Sequence, residues 1–284
     1  MGRGNTEETS AAVCVTPSRF RAWVALAYVR VLAVLAFALL FLLIYSQISW
    51  PSLHPTGSFP WVSFGLLLVL ALFAEAYTIQ VGPGMEISAG FLACFLSAAV
   101  AGPLASFSIA VASQLLSLRQ RQWERSLCFT ATMGLVAGGT SFLYWVGFSL
   151  VGGFVEASVF LVVTFSLGAG VLYQILNYML GVPIVWLNRG IGFKRAWTYG
   201  VVPFLKFDLF FLLVSVGLVS IYHLYLPKND GAASVESALL VVLCLVPVIA
   251  LIWALRQWAV ERMLAQRNQR LAQRNERLAL QAVA

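Results

Sequence analysis

Charge is scarce in this sequence: Asp, Glu, Lys and Arg make up 10% of its 284 residues, against about 25% in soluble domains. Histidine is nearly missing, with only His54 and His223 present, so histidine catalysis or a His-rich metal centre has little to build on. Four cysteines, Cys14, Cys94, Cys128 and Cys244, have no metal-ligand spacing. The last three lie in apolar runs, where a thiol behaves as a small buried hydrophobe. No hydrolase elbow, phosphate-cradling glycine loop, His-Glu-x-x-His or Cys-x-x-Cys occurs. The expectation is a chain that is not an enzyme, with no catalytic residue, no metal and no cofactor. Its loops are also too short for a folded basic surface with base-stacking groups, so nucleic acid is not an expected partner.

What the chain has in abundance is apolar sequence, 61% of all residues. A hydrocarbon core of about 30 Å needs about 20 apolar residues in a helix. Eight candidate spans fall at roughly 23–46, 61–79, 87–101, 104–118, 127–150, 156–180, 201–226 and 237–256. The expected fold is an all-α polytopic membrane protein of about eight transmembrane helices. The third and fourth spans are short and separated only by Gly102-Pro103; they form either a tight hairpin of tilted helices or a re-entrant pair covered by neighbours. The polar stretch Met1 to Ser18 carries no cleavage site of signal-peptide type, so the first span is expected to be retained.

The tail continues the last span without a break into Arg256 and beyond. Leu264, Leu271 and Leu278 recur at heptad spacing, the first two opening near-identical Leu-Ala-Gln-Arg-Asn units. This describes a membrane helix extended into water as a weak coiled-coil rod, since its other seam positions are Arg267 and Arg274, or Asn268 and Asn275. The chain therefore divides into a polar cytoplasmic N-terminus, 1–20, a transmembrane bundle, 21–256, and a cytoplasmic amphipathic or coiled-coil helix, 257–284. No catalytic domain follows before Ala284, so any enzymatic output is expected on another chain.

Lys and Arg in short loops stay cytoplasmic. Threading eight spans from an inside N-terminus places Arg3, Arg19, Arg21, Arg119, Arg121, Arg125, Arg189, Lys194, Arg195 and the tail arginines inside, and only Lys228 outside. Loops 47–60 and 151–155 contain neither Lys nor Arg. Both termini are expected in the cytoplasm of a cell whose inner membrane the chain crosses several times. The net charge of +7 is then mostly an inner collar, attractive to anionic lipid by about 1 kcal/mol per residue.

Ionisable groups within spans are the default functional candidates, because a mid-bilayer charge costs about 2.5–3.5 kcal/mol or more. Arg30, Glu75, Lys206 and Asp208 qualify, all toward the inner end of their spans. Arg30 and Lys206 can snorkel on long stems, whereas Glu75 and Asp208 cannot do so as easily and are candidates for a buried polar network. Depth alone suggests Lys206 or Arg30 as a partner for Glu75. Between Tyr77 and Ser88, Gly82-Pro83-Gly84 forces a turn and the flanks alternate polar and apolar residues, as in a short hairpin. This is either an ordinary inner-face turn or a re-entrant element lining a cavity with Glu86 and Ser88. Asn177 either caps such backbone or bonds between helices. Trp50, Trp61, Trp145, Tyr222 and Tyr225 fall where an aromatic belt is expected. Gly134, Gly138, Gly139, Gly168 and Gly170 allow close helix approach.

In order, Glu75, an extended segment, Ile87-Ser88, Gly102-Pro103, an Arg-rich loop, a helix opening Ser126-Leu-Cys-Phe, and Tyr173 to Asn177 resemble the polytopic membrane-sensor modules at the N-terminus of bacterial diguanylate cyclases, HD-type cyclic-di-GMP phosphodiesterases and some histidine kinases. The resemblance covers roughly residues 25–260 and rests on spacing and a few small or polar residues. Cys128-Phe129 stands where many such modules have Phe-Asn, and no output domain is present. The resemblance implies a bacterial sensor passing a membrane-side or ligand signal through the last span to a cytoplasmic signalling protein, with homodimerisation through the tail. A small-solute transporter, or the substrate-binding subunit of an uptake system, is the alternative; a membrane anchor or scaffold is a third reading.

Overall fold

The computed structural model describes residues 19–49, 60–76, 79–82, 85–87, 90–115, 123–189 and 192–225, and separate positions between 243 and 275. Its helices are α1 (Arg19–Ser49), α2 (Trp61–Ala76), α3 (Gly90–Ala101), α4 (Pro103–Leu115), α5 (Trp123–Leu150), α6 (Val159–Arg189), α7 (Phe193–Gly200) and α8 (Val202–Tyr225). Among the described residues, four stretches are long and apolar enough to cross a membrane: Phe20–Ser49, Ser126–Leu150, Val159–Ile184 and Leu205–Tyr225. The chain is thus helical with membrane-spanning character, as its composition requires. Between Leu243 and Asn275 every described residue is helical and exposed.

The alternating segment before α3 forms a small antiparallel ladder, β1 (Ile79–Gly82) with β2 (Met85–Ile87). Ile79 faces Ile87 and Gln80 faces Glu86, with an irregularity between Gln80 and Gly82. Gly-Pro-Gly at the turn allows this reversal, since glycine reaches backbone conformations that other residues resist.

Helices α3 and α4 are 12 and 13 residues long, about 18 and 20 Å at 1.5 Å per residue. Gly102 separates them at φ +87°, a left-handed conformation that ends α3. Pro103 then opens α4, where its missing N–H loses no helical bond. All twelve residues of α3 are buried. It lies inside a wall made by α2, α4, α5 and α8. A helix apolar on every side belongs in such an interior position.

Close packing around this pair uses glycine where backbone and side chain meet. A Cβ added at Gly138 would stand 2.8 Å from Phe107 Cδ2, and one at Gly134 3.0 Å from Phe107 Cε2; these positions seat α4 against α5. At Gly170 the added atom would meet Leu212 Cδ1, which marks the crossing of α6 and α8. Gly168 has nothing within 4 Å, so the close-approach expectation does not extend to it.

The aromatic-belt expectation divides in two. Trp61 and Tyr225 are exposed, whereas Trp145 and Tyr222 are each 1% exposed. Trp145 donates its indole N–H to Ala98 O at 2.6 Å, reaching a carbonyl near the end of α3. Its ring packs with Tyr144, Phe148 and Phe154 at centroid distances of 5.5–6.4 Å. Hydropathy places such residues by depth, but only tertiary packing decides whether they face lipid or protein. The loop from α5 to α6 closes on this cluster: Gly153 N–H bonds Phe148 O at 2.8 Å, and His223 of α8 bonds Ala157 O through Nε2 at 2.9 Å.

Candidate functional site

The long helix α6 brings its polar side chains to the inner wall of the bundle. Tyr173, 2% exposed, stacks edge-on to Phe91 of α3 with centroids 4.6 Å apart. Its hydroxyl faces Met133 Sδ of α5 at 3.9 Å. Cys94 of α3, Asp208 of α8 and Glu75 of α2 all lie within electrostatic range of this phenol, and Glu75 acts on Cys94 as well. Polar groups of three helices, α2, α3 and α8, therefore lie within electrostatic range of one buried tyrosine.

Five residues after Tyr173, Tyr178 donates its hydroxyl to Asp208 Oδ2. This bond joins α6 to α8 next to a small apolar cluster of Val182, Ala196 and Val201, against which Trp197 of α7 packs. Pro183 interrupts the backbone ladder of α6 here, and Tyr28 of α1 donates to Leu180 O at 3.0 Å. The polar site thus sits where α6 is least regular.

A second polar group lies deeper, along α5. Tyr144 and Ser166 are hydrogen-bonded at 3.3 Å. Thr140 donates to Val136 O at 2.6 Å. Ser106 of α4 donates to Cys94 O at 2.9 Å. Between these residues is a cavity of about 10 Å³, lined by Cys94, Ser106, Thr140, Ser141, Tyr144 and Tyr173 among others. The two tyrosines face it from α5 and α6, so the cavity separates the Tyr173 group from the Tyr144 group.

The residues singled out in the sequence divide accordingly. Glu75, in the last turn of α2, is half-buried and joins the group around Tyr173. Asp208 is half-buried and accepts from the Tyr178 hydroxyl. Asn177 is half-buried on α6 directly before Tyr178. Arg30 and Lys206 are exposed, which fits snorkelling and gives no support to burial beside Glu75. Glu86 is placed in β2 opposite Gln80, and Ser88 lies outside the described residues. Leu264 and Leu271 are helical, 53% and 48% exposed; Leu278 lies outside the described residues.

Sequence reasoning did not single out Tyr178, Tyr144, Ser106, Thr140 or Ser141, and it treated Cys94 only as a small hydrophobe. A usable signal was present: Thr140 and Tyr144 are four residues apart, and Ser141 is three before Tyr144, which places all three on one face of α5. Chemically, the site combines two carboxylates with phenols, hydroxyls and a thiol in an apolar wall. Its hydrogen bonds are costly to leave unmade at this depth. Such a network favours a few discrete arrangements over a continuum.

No protein-family model matches the chain, and no curated protein and no solved structure matches it.

Proposed function

We propose that the chain is a bacterial inner-membrane sensor or signal-transducing module. A ligand or bilayer property biases two packings of the bundle, and the last span passes that bias along the C-terminal helix to a cytoplasmic partner. The observation that carries this reading is the hydrogen bond from Tyr178 to Asp208, which ties α6 to α8 about one and a half turns from the buried Tyr173. Asp208 stands on α8, the helix that precedes the last span. A rearrangement at Tyr178 and Asp208 therefore acts on the element nearest the output. A few kcal/mol of differential interaction between two states suffices for such coupling.

In this arrangement both termini are cytoplasmic, and the basic loops form the inner collar. The lengths of α3 and α4, 12 and 13 residues, favour a re-entrant pair over two full crossings of about 30 Å. Helical backbone at every described position from Leu243 to Asn275 supports a rod leaving the membrane, with Leu264, Leu271 and Leu278 as its dimer seam. The test is crosslinking of single cysteines at these three leucines in native membranes, on a background without the four native cysteines. Strong, heptad-dependent crosslinking is expected. Its absence at all three positions refutes the dimeric rod.

A transporter is the second reading, favoured by one observation: a helix break at Gly102 in a short pair whose first helix is buried on every side. Broken helices at membrane depth are what substrate sites in transporters use. Solute uptake by vesicles holding the intact chain, together with absent crosslinking, favours this alternative.

A further inference from the structure

The cavity between α3, α4, α5 and α6 is lined on several sides by hydroxyl groups whose hydrogens already have destinations. Ser106 donates to Cys94 O, and Thr140 donates to Val136 O. Each hydroxyl oxygen keeps lone pairs that can accept. Ser141 is 4% exposed, lines the same space, and its hydroxyl donates to no described residue, which leaves one hydrogen to offer. Tyr173 contributes a phenol held only weakly by Met133 Sδ at 3.9 Å. A volume of about 10 Å³ is the space one water centre needs, about 10–15 Å³, and a buried water needs two to four polar partners. An apolar atom here would strand those lone pairs, and anything larger than water would not fit.

We propose that this cavity is an internal water site, holding one molecule that joins the Tyr173 group to the Tyr144–Ser166 group. The water accepts from Ser141 and from the Tyr173 phenol, which lines the cavity, and donates to hydroxyl oxygens of the Ser106 and Thr140 wall. Tyr173 on α6 is then connected through it to α4 and α5. Beyond Tyr144 the path ends, because Trp145, Phe148 and Phe154 close the bundle with rings 5.1–6.4 Å apart. The hydrated polar track reaches from Tyr173 to this aromatic plug and stops. This inference depends on the cavity and its hydroxyls, and it stands or falls separately from the signalling reading.

Hydroxyl-radical footprinting of the full chain in lipid nanodiscs tests it, because radicals generated at bound water label the side chains beside it. After correction for intrinsic reactivity, Tyr144 and Tyr173 are expected to label about ten-fold faster than Trp145 and Phe148, which lie at similar burial but beyond the water. Ser141→Val fills the cavity and removes the donor; labelling at both tyrosines is expected to fall about five-fold while Phe148 stays unchanged. Equal protection of all four rings in the unmodified chain overturns the proposal, and so does tyrosine labelling unaffected by Ser141→Val. The first comparison uses no variant, so a misfolded Ser141→Val protein leaves the decision intact.

Discussion

Adjacent glycines on α5 offer a test of how tightly the short helix α4 is held. In Gly138→Ala the new methyl lies 2.8 Å from Phe107 Cδ2, 3.1 Å from Phe107 Cβ and 3.1 Å from Leu43 Cδ1. Carbon atoms settle at about 3.5–4.0 Å, so the contacts are short by roughly 0.4–1.2 Å. The Phe107 ring can rotate away, but its Cβ is fixed to the α4 backbone, and Leu43 is 1% exposed with nowhere to retreat. Separation of α4 from α5 must grow, which overpacking data put at about 1–3 kcal/mol. In Gly139→Ala the nearest atom is Leu39 Cδ2 at 4.0 Å, an ordinary contact. Both variants gain the same helix propensity, about 1 kcal/mol, so their difference isolates the packing term. Gly138→Ala is expected to be less stable than Gly139→Ala by about 1–3 kcal/mol. Helix loss followed by circular dichroism during titration of mixed micelles with SDS measures both midpoints. A midpoint for Gly138→Ala at or above that of Gly139→Ala refutes the reasoning.

Other substitutions address the polar contacts. Tyr178→Phe removes the donor and Asp208→Leu the acceptor of one hydrogen bond, so a double-mutant cycle by thermal unfolding should return a coupling of about 0.5–3 kcal/mol; simple additivity would show that the bond does not hold α6 to α8. Trp145→Phe loses the indole donor to Ala98 O, but that carbonyl also accepts from Gly102 N–H at 3.2 Å. The expected cost is therefore only the net value of one bond, about 0.5–1.5 kcal/mol, read from the shift in unfolding midpoint. A cost above about 3 kcal/mol would mean that the ring, rather than the bond, supports the end of α3.

Apolar run length and a few punctuating residues made much of the architecture legible. The four long spans follow from hydropathy, the ladder before α3 from Gly82-Pro83-Gly84 and its alternating flanks, and the α3–α4 break from Gly102-Pro103. Glu75 and Asp208 were recognisable because a short acidic side chain at membrane depth needs a reason to be there. Their surroundings were not recognisable. Ser106, Thr140 and Ser141 are small residues in apolar runs, where hydroxyls back-bond to their own helix and leave no mark on composition. Trp145 and Tyr222 share the depth of a belt residue, and their burial depends on other helices, as the bond from Trp145 to Ala98 of α3 shows. The short helix α7, with Trp197 set against the Tyr178 region, lies in a stretch that charge counting reads only as a basic inner loop.

The all-round burial of α3 also bears on how the protein is made. Twelve residues without a lipid-facing side have no stable resting place in a bilayer on their own, since about 18 Å of helix leaves both ends short of water. During synthesis α2 is already in place beside it, and α4 and α5 follow soon after. Helix α8, the remaining wall, begins at Val202, about a hundred residues after α3 ends. Until then one flank of α3 needs a temporary cover from the insertion machinery or from lipid. Order of synthesis and order of assembly therefore part company: the third helix made is among the last to reach its final surroundings.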